Sequence, residues 1–205
     1  HLRGSNVMRM AATAELGGVE SSILSMGREL EAVASRCPST AWCLWNHLAV
    51  FHLFVGTLGP EHHQFLQEIV ERGDWVSFPA GAGSGVHGRI EGDEAVLNGA
   101  ATFGTGSRYA DHCGVVFAVT GDDGQPVRPM DLRFSIIPSD IEGLKIEPTW
   151  DGSGLRASAT DDLHYSEVRV PLARCVQWYG ANRAESLRTV PVVHHRYRED
   201  WVGIS

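Results

Sequence analysis

Trp75-Val76-Ser77-Phe78-Pro79-Ala80-Gly81-Ala82-Gly83-Ser84-Gly85, then Asn98-Gly99-Ala100-Ala101-Thr102-Phe103-Gly104-Thr105-Gly106-Ser107-Arg108-Tyr109-Ala110-Asp111, mark where this chain changes character. Upstream, apolar residues recur at helical spacing; from Trp75 onward they come in short runs broken by Gly, Pro, Asn and Asp. Trp75 to Phe78 reads as a first strand, and Arg89 to Glu91 with Ala95 to Leu97 flank Gly92-Asp93 as a tight hairpin. Val115 to Val119 and Leu132 to Ile137 are further β-branched and aromatic runs, parted by a polar loop from Gly121 to Pro129. Leu144 to Trp150 and Leu163 to Val170 bring the total to roughly seven short strands, the pattern of an antiparallel barrel or sandwich. After Pro171 the pattern is irregular, and Leu187 to Ser205 reads as the entry to a further helix.

Working back from Trp75, three helices are expected. Val19 to Arg36 sets Ile23, Met26, Leu30 and Val33 on one face. Ser39 is a suitable N-cap for a second helix running to about Thr57, apolar nearly all round and therefore central. Pro60 opens a third that Gly73 ends near Arg72. The fold class is α+β: a helical N-terminal domain over 1–73, a β middle domain over 74–172, and a linker with the start of a C-terminal helical domain over 173–205.

Composition bounds the function. With 205 residues, 43% hydrophobic and 20% charged, the chain has the profile of a folded protein able to bury a core without disulfides. A net charge of -8 and the absence of a basic cluster argue against nucleic acid as a partner. Cys37, Cys43, Cys113 and Cys175 lack C-x-x-C spacing and read as reduced thiols; with no secretory signal, the expected location is cytoplasmic. The window from Trp42 to Leu58 carries Asn46, His47 and His52 and falls short of the ~20 apolar residues that span a bilayer, so no membrane is expected. The ten histidines include no His-Glu-x-x-His, so no metal is expected. Ser84 lies in neither a Walker loop nor a Gly-x-Ser-x-Gly elbow.

Three segments carry a resemblance: Gly81-Ala82-Gly83-Ser84, Phe103-Gly104-Thr105-Gly106, and Gly154-Leu155-Arg156-Ala157-Ser158 with the later Glu167-Val168-Arg169-Val170-Pro171. In this order they resemble the first two domains of the acyl-CoA dehydrogenase superfamily, in which a helical domain, a β middle domain and a C-terminal four-helix bundle enclose a flavin. The chain then resembles a fragment, without a first helix and with the C-terminal bundle largely absent. Cys37-Pro38-Ser39-Thr40-Ala41-Trp42 is similar to the Gly-Ser-Thr-Ala-Trp helix start of the group D flavin-dependent monooxygenases. Phe103-Gly104-Thr105-Gly106 with Ala110-Asp111 is nearer their Phe-Ala-Ser-Gly than the dehydrogenases' Ile-Thr-Asn-Gly.

The resemblance implies the oxygenase component of a two-component monooxygenase. It would hydroxylate a small aromatic or amine substrate with O2 and reduced flavin, FADH2 or FMNH2, supplied by a separate flavin reductase, within a homotetramer. An FAD-dependent acyl-CoA dehydrogenase and a non-catalytic oligomeric binding protein are the alternatives. It implies Phe78, Gly81, Ser84, Phe103, Thr105, Gly106 and Arg156 as flavin-binding, and Thr105, His52 and His47 as catalytic. An isoalloxazine ring needs a flat apolar platform and a few aimed donors, which Phe103 and Thr105 offer. The plainer readings are a core Phe103, turn chemistry for Thr105, a flexible connection at Ser84, hydrogen-bonded core histidines, and a salt bridge for Arg156. Phe78 stands where dehydrogenases commonly have Thr, and Ala101 where monooxygenases commonly have Trp.

Overall fold

The structure is a computed structural model that describes residues 2–55, 63–79, 85–128 and 130–179. Two 3-10 turns, Asn6–Arg9 and Ala14–Leu16, precede helices α1 (Ile23–Ala34), α2 (Pro38–Val55) and α3 (His63–Arg72). Ser22 caps α1 by accepting from the Ser25 N–H at 3.1 Å, which places residues 19–22 before the helix rather than in it. Pro38 is the first residue of α2, where its missing N–H costs nothing, so Ser39 lies inside the first turn instead of capping it. As expected for a central helix, α2 is buried all round over 43–51, through Leu44, Trp45, Leu48, Val50 and Phe51. Thr57 and Pro60 fall outside the described residues.

Eight strands follow among the described residues: β1 Val76–Ser77, β2 His87–Glu91, β3 Glu94–Gly104, β4 His112–Thr120, β5 Leu132–Pro138, β6 Leu144–Glu147, β7 Asp161–Pro171 and β8 Val176–Tyr179. They form one sheet in the order β6-β7-β3-β2-β4-β5-β8, with β1 beside β4. The expected hairpin is present, Glu91 facing Glu94 across Gly92-Asp93. The sheet is mostly antiparallel, as expected, with two parallel pairs: β3 leaves to pair with β7, so the returning β4 lies parallel to β2, and β1 also pairs parallel to β4. Two expectations are corrected. The strand begun at Leu144 stops at Glu147 rather than Trp150, because Pro148 has no N–H to offer a ladder. Finally, the irregular stretch after Pro171 contains β8, whose four residues pair with β5 but are too few to show a period.

Two apolar clusters share the sheet. One joins the helices to Val76, Phe78, Phe134 and Ile136. The other is enclosed by the sheet itself, through Leu97, Cys113, Val115, Phe117, Ile137, Leu163 and Val168. Strand alternation explains the division: on β5, Phe134 and Ile136 face the helices while Ile137 faces the enclosed side. Gly114 on β4 makes the junction possible, since a Cβ there would stand 2.8 Å from the Phe78 ring, which meets Phe134 edge-on at 5.3 Å. Among the described residues no helix is long and apolar enough to cross a membrane.

Candidate functional site

The end of β3 is irregular in a way that exposes a ring. Ala101 pairs with Leu163 and Gly104 with Asp161, leaving one extra residue on β3 between these pairs. Such a bulge bends its strand and re-aims a side chain. Phe103 takes the strain, with φ of 61° and 59% of its surface exposed. A left-handed conformation costs a non-glycine residue ~1–2 kcal/mol and persists where the surroundings enforce it. The turn is closed by the Thr105 N–H donating to the Phe103 carbonyl at 2.9 Å.

Thr105, two residues on, is buried. Its hydroxyl accepts from the Trp42 indole N–H at 3.2 Å and lies 3.4 Å from the Thr160 hydroxyl, itself 2.7 Å from the Ser158 hydroxyl. Its carbonyl accepts from Ser77 Oγ at 2.9 Å. Gly106 donates its N–H to the Ser158 carbonyl at 2.8 Å, which also accepts from Cys43 Sγ at 3.3 Å. Helix α2, β1, the β3 turn and the loop before β7 thus meet at two residues. Glycine suits position 106 because its φ is 76°, a left-handed backbone that side chains rarely adopt. Burial pushes the Cys43 thiol up to about 12, so it is no nucleophile at neutral pH.

Two ion pairs anchor this turn. Asp161, fully buried at the start of β7, accepts from Arg108 at 2.9 and 3.0 Å and from the Trp150 N–H at 3.2 Å. Asp111 accepts from the Trp75 N–H at 2.7 Å and pairs with Arg3. Beside them a cleft of about 390 Å³ is lined by Thr40, Cys43, Trp75, Gly106 and Tyr109. The Trp75 indole N–H at its edge has no hydrogen-bond partner among the described residues.

The other expected site residues scatter. Phe78 turns its ring into the core, and its backbone N–H and C=O are both held by the Asn46 amide, at 2.7 and 2.9 Å. His47 is buried with both ring nitrogens spent: Nδ1 accepts from the Val76 N–H at 3.0 Å, so the proton is on Nε2, which donates to the Met8 carbonyl at 3.0 Å. Burial pushes its pKa from 6.5 to about 4. This is the hydrogen-bonded core histidine of the plainer reading. Arg156 is exposed and pairs with Asp151 at 3.3 Å, within its own loop. Gly81, Ser84 and the His52 side chain lie outside the described residues. Among the described residues no group of His, Cys, Asp and Glu could hold a metal. Sequence reasoning quoted Trp42 and Ser158 only as motif letters and passed over Asn46, Arg108, Thr160 and Asp161. The bonds Trp42–Thr105, Asn46–Phe78, Arg108–Asp161 and Thr160–Thr105 join residues 32 to 63 positions apart, beyond any local pattern.

No protein-family model matches the chain. It is 30% identical over 176 residues to a cyclohexane-1-carbonyl-CoA dehydrogenase of Geobacter metallireducens, covering 80% of this chain and 45% of that protein. It is 26% identical over 169 residues to the indole-3-acetate monooxygenase of Acinetobacter baumannii, covering 82% and 41%. Indole-bound TdsC from Paenibacillus sp. A11-2, a dibenzothiophene monooxygenase, superposes with a TM-score of 0.84 at 18% identity, over 98% of this chain and 52% of that one. XiaF from Streptomyces sp., in complex with FADH2 and glycerol, gives 0.74 at 21% identity, over 86% and 42%. The chain spans half or less of the length of the curated relatives it matches. Its fold is acyl-CoA dehydrogenase-like, with structural neighbours among the flavin-dependent monooxygenases.

Proposed function

We propose that this chain forms the helical and β parts of a flavin-dependent monooxygenase, the oxygenase component of a two-component system. It accepts reduced FMN or FAD from a separate reductase in the cytoplasm and hydroxylates a small aromatic or amine substrate, within a tetramer completed by a C-terminal bundle. The observation that carries this reading is the Trp42–Thr105 hydrogen bond at 3.2 Å. It joins the two segments, 37–42 and 103–106, whose spelling is monooxygenase-like, into one constellation.

The residues present fit a flavin. An exposed aromatic ring on a strained bulge, with a hydroxyl two residues on, suits a flat heteroaromatic system that needs apolar contact and a few polar partners. When bound, reduced flavin supplies the two electrons that let one oxygen atom of O2 enter the substrate while the other leaves as water. In this reading Phe103 supports the ring, Thr105 holds a polar edge of it, and Gly106 keeps the turn close to α2. The buried Thr105, Thr160 and Ser158, with the partly buried Trp42 over them, keep water from that side. His47 has no ring nitrogen left for a substrate.

The 30% identity to an acyl-CoA dehydrogenase favours a second reading, FAD-dependent oxidation of a thioester. Mixing the full-length protein, loaded anaerobically with reduced flavin, with O2 and a panel of phenols, indoles and amines separates the two. Hydroxylated product with matching O2 uptake is expected. Bleaching of bound FAD by an acyl-CoA with no hydroxylation would establish the second reading instead, and absence of flavin binding would leave a non-catalytic scaffold. Thr105→Val is expected to lower product formed per O2 consumed by up to about tenfold, the scale of one lost hydrogen bond.

A further inference from the structure

Asp161 holds both flanks of the turn that follows Phe103. Its backbone pairs with Gly104 at the end of β3, and its fully buried carboxylate accepts from Arg108 Nε at 3.0 Å and Nη2 at 2.9 Å, in the 3-10 turn Ser107–Tyr109. The ladder itself defines the alternative. Ala101 faces Leu163, so regular pairing onward would set Phe103, rather than Gly104, opposite Asp161. Phe103 would then share a face with Ala101, which is 2% exposed, and its ring would turn toward the core enclosed by the sheet. The bulge instead leaves that ring 59% exposed on a left-handed backbone, a conformation that is strained for phenylalanine. Gly104 permits the shift, since a Cβ there would stand 2.2 Å from Leu163 Cδ1. An attraction is still needed to hold the strained register against the relaxed one.

We infer that the Arg108–Asp161 ion pair selects the bulged register of β3 over the regular one and thereby keeps the Phe103 ring turned outward. Removing the bulge would carry the residues after Phe103 one place along β7, about 3.3 Å, and the planar guanidinium could no longer meet both carboxylate oxygens. Asp161 would then be a buried charge without its cation, which is far costlier than the pair is stabilising. A buried ion pair of this kind adds little net stability over apolar packing, but it discriminates strongly between two registers of one strand. Arg108 and Asp161 act through Phe103 and are positioning residues. The consequence for cofactor rests on the flavin site proposed above: only molecules in the bulged register offer the ring, so apparent affinity falls with their fraction.

The test is fluorine NMR of the full-length protein carrying para-fluorophenylalanine at position 103, in H2O and in D2O, beside fluorescence titration with FMN and FAD. Wild type should give one signal that shifts between the two solvents, the mark of an exposed ring. Arg108→Ala should add a second signal insensitive to D2O, from the ring turned inward, and weaken flavin binding by about 2- to 10-fold in step with the fraction converted. Asp161→Asn should do the same while leaving an acceptor for the Trp150 N–H, a second route should the alanine variant fold poorly. A single solvent-sensitive signal in both variants, or a shielded one in wild type, overturns the selection of register. A second signal with flavin affinity unchanged upholds the selection and removes Phe103 from the flavin site. Absence of flavin binding by wild type overturns that site, and the fluorine signals still decide the register.

Discussion

Acidification should loosen this fold through His47. Its ring bridges the Met8 carbonyl and the Val76 N–H, tying the first 3-10 turn and β1 to α2, and burial lowers its pKa from 6.5 to about 4, with smaller influences from Asp111 and Arg3. In the unfolded chain the imidazole takes up a proton near pH 6.5, whereas the folded chain resists until about pH 4. Between those limits the unfolded state binds more protons, so the contribution of His47 is complete above about pH 6.5 and falls as pH falls. At roughly 1.4 kcal/mol per pH unit, linkage gives a loss of about 2 kcal/mol by pH 5 and about 3 kcal/mol by pH 4. Urea unfolding of the full-length protein and of His47→Gln, at steps from about pH 7.5 to 4.5, isolates it, because other groups titrate in both proteins. The stability gap between the two should narrow by about 2 kcal/mol from neutral pH to about pH 5. A gap constant to within about 0.5 kcal/mol would refute a neutral, doubly bonded His47.

Asn46→Leu should cost about 2–5 kcal/mol in the same assay, because it strips partners from both the buried N–H and C=O of Phe78; a loss under about 1 kcal/mol would mean that water replaces the amide. Phe103→Gly should leave stability unchanged or raise it by up to about 1 kcal/mol, since the ring is exposed and glycine relieves the left-handed backbone. Flavin affinity, measured alongside, should fall. A loss of the ~3–5 kcal/mol typical of a buried phenylalanine would show that the ring belongs to the core.

The helices and most strands were legible because each announces itself within about ten residues: the stripe of α1, the all-round apolarity of α2, and Gly92-Asp93 between alternating runs. Pairing was not. Nothing local tells β4 to lie parallel to β2, because that depends on β3 leaving for β7, whose sequence comes some 60 positions later. The candidate site divides the same way. Phe103, Thr105 and Gly106 stood out as a motif, yet the bulge that exposes Phe103 arises from a mismatch of spacing with β7, which only the paired strands reveal. Phe78 illustrates the converse: a residue beside the motif reads as part of it, while Gly114, 36 positions away, opens the space that draws its ring into the core.

Strand β5 serves as a party wall, with Phe134 and Ile136 belonging to the helices and Ile137 to the interior on the other side. Exchanging the helical segment between two relatives would therefore set one protein's side chains against another's sockets, however cleanly the crossover is placed near Trp75. Working hybrids should be those in which positions 134 and 136 travel with the donor helices. Over evolutionary time substitutions on α2 and on β5 should arise in matched pairs, so the two halves of the chain share one history.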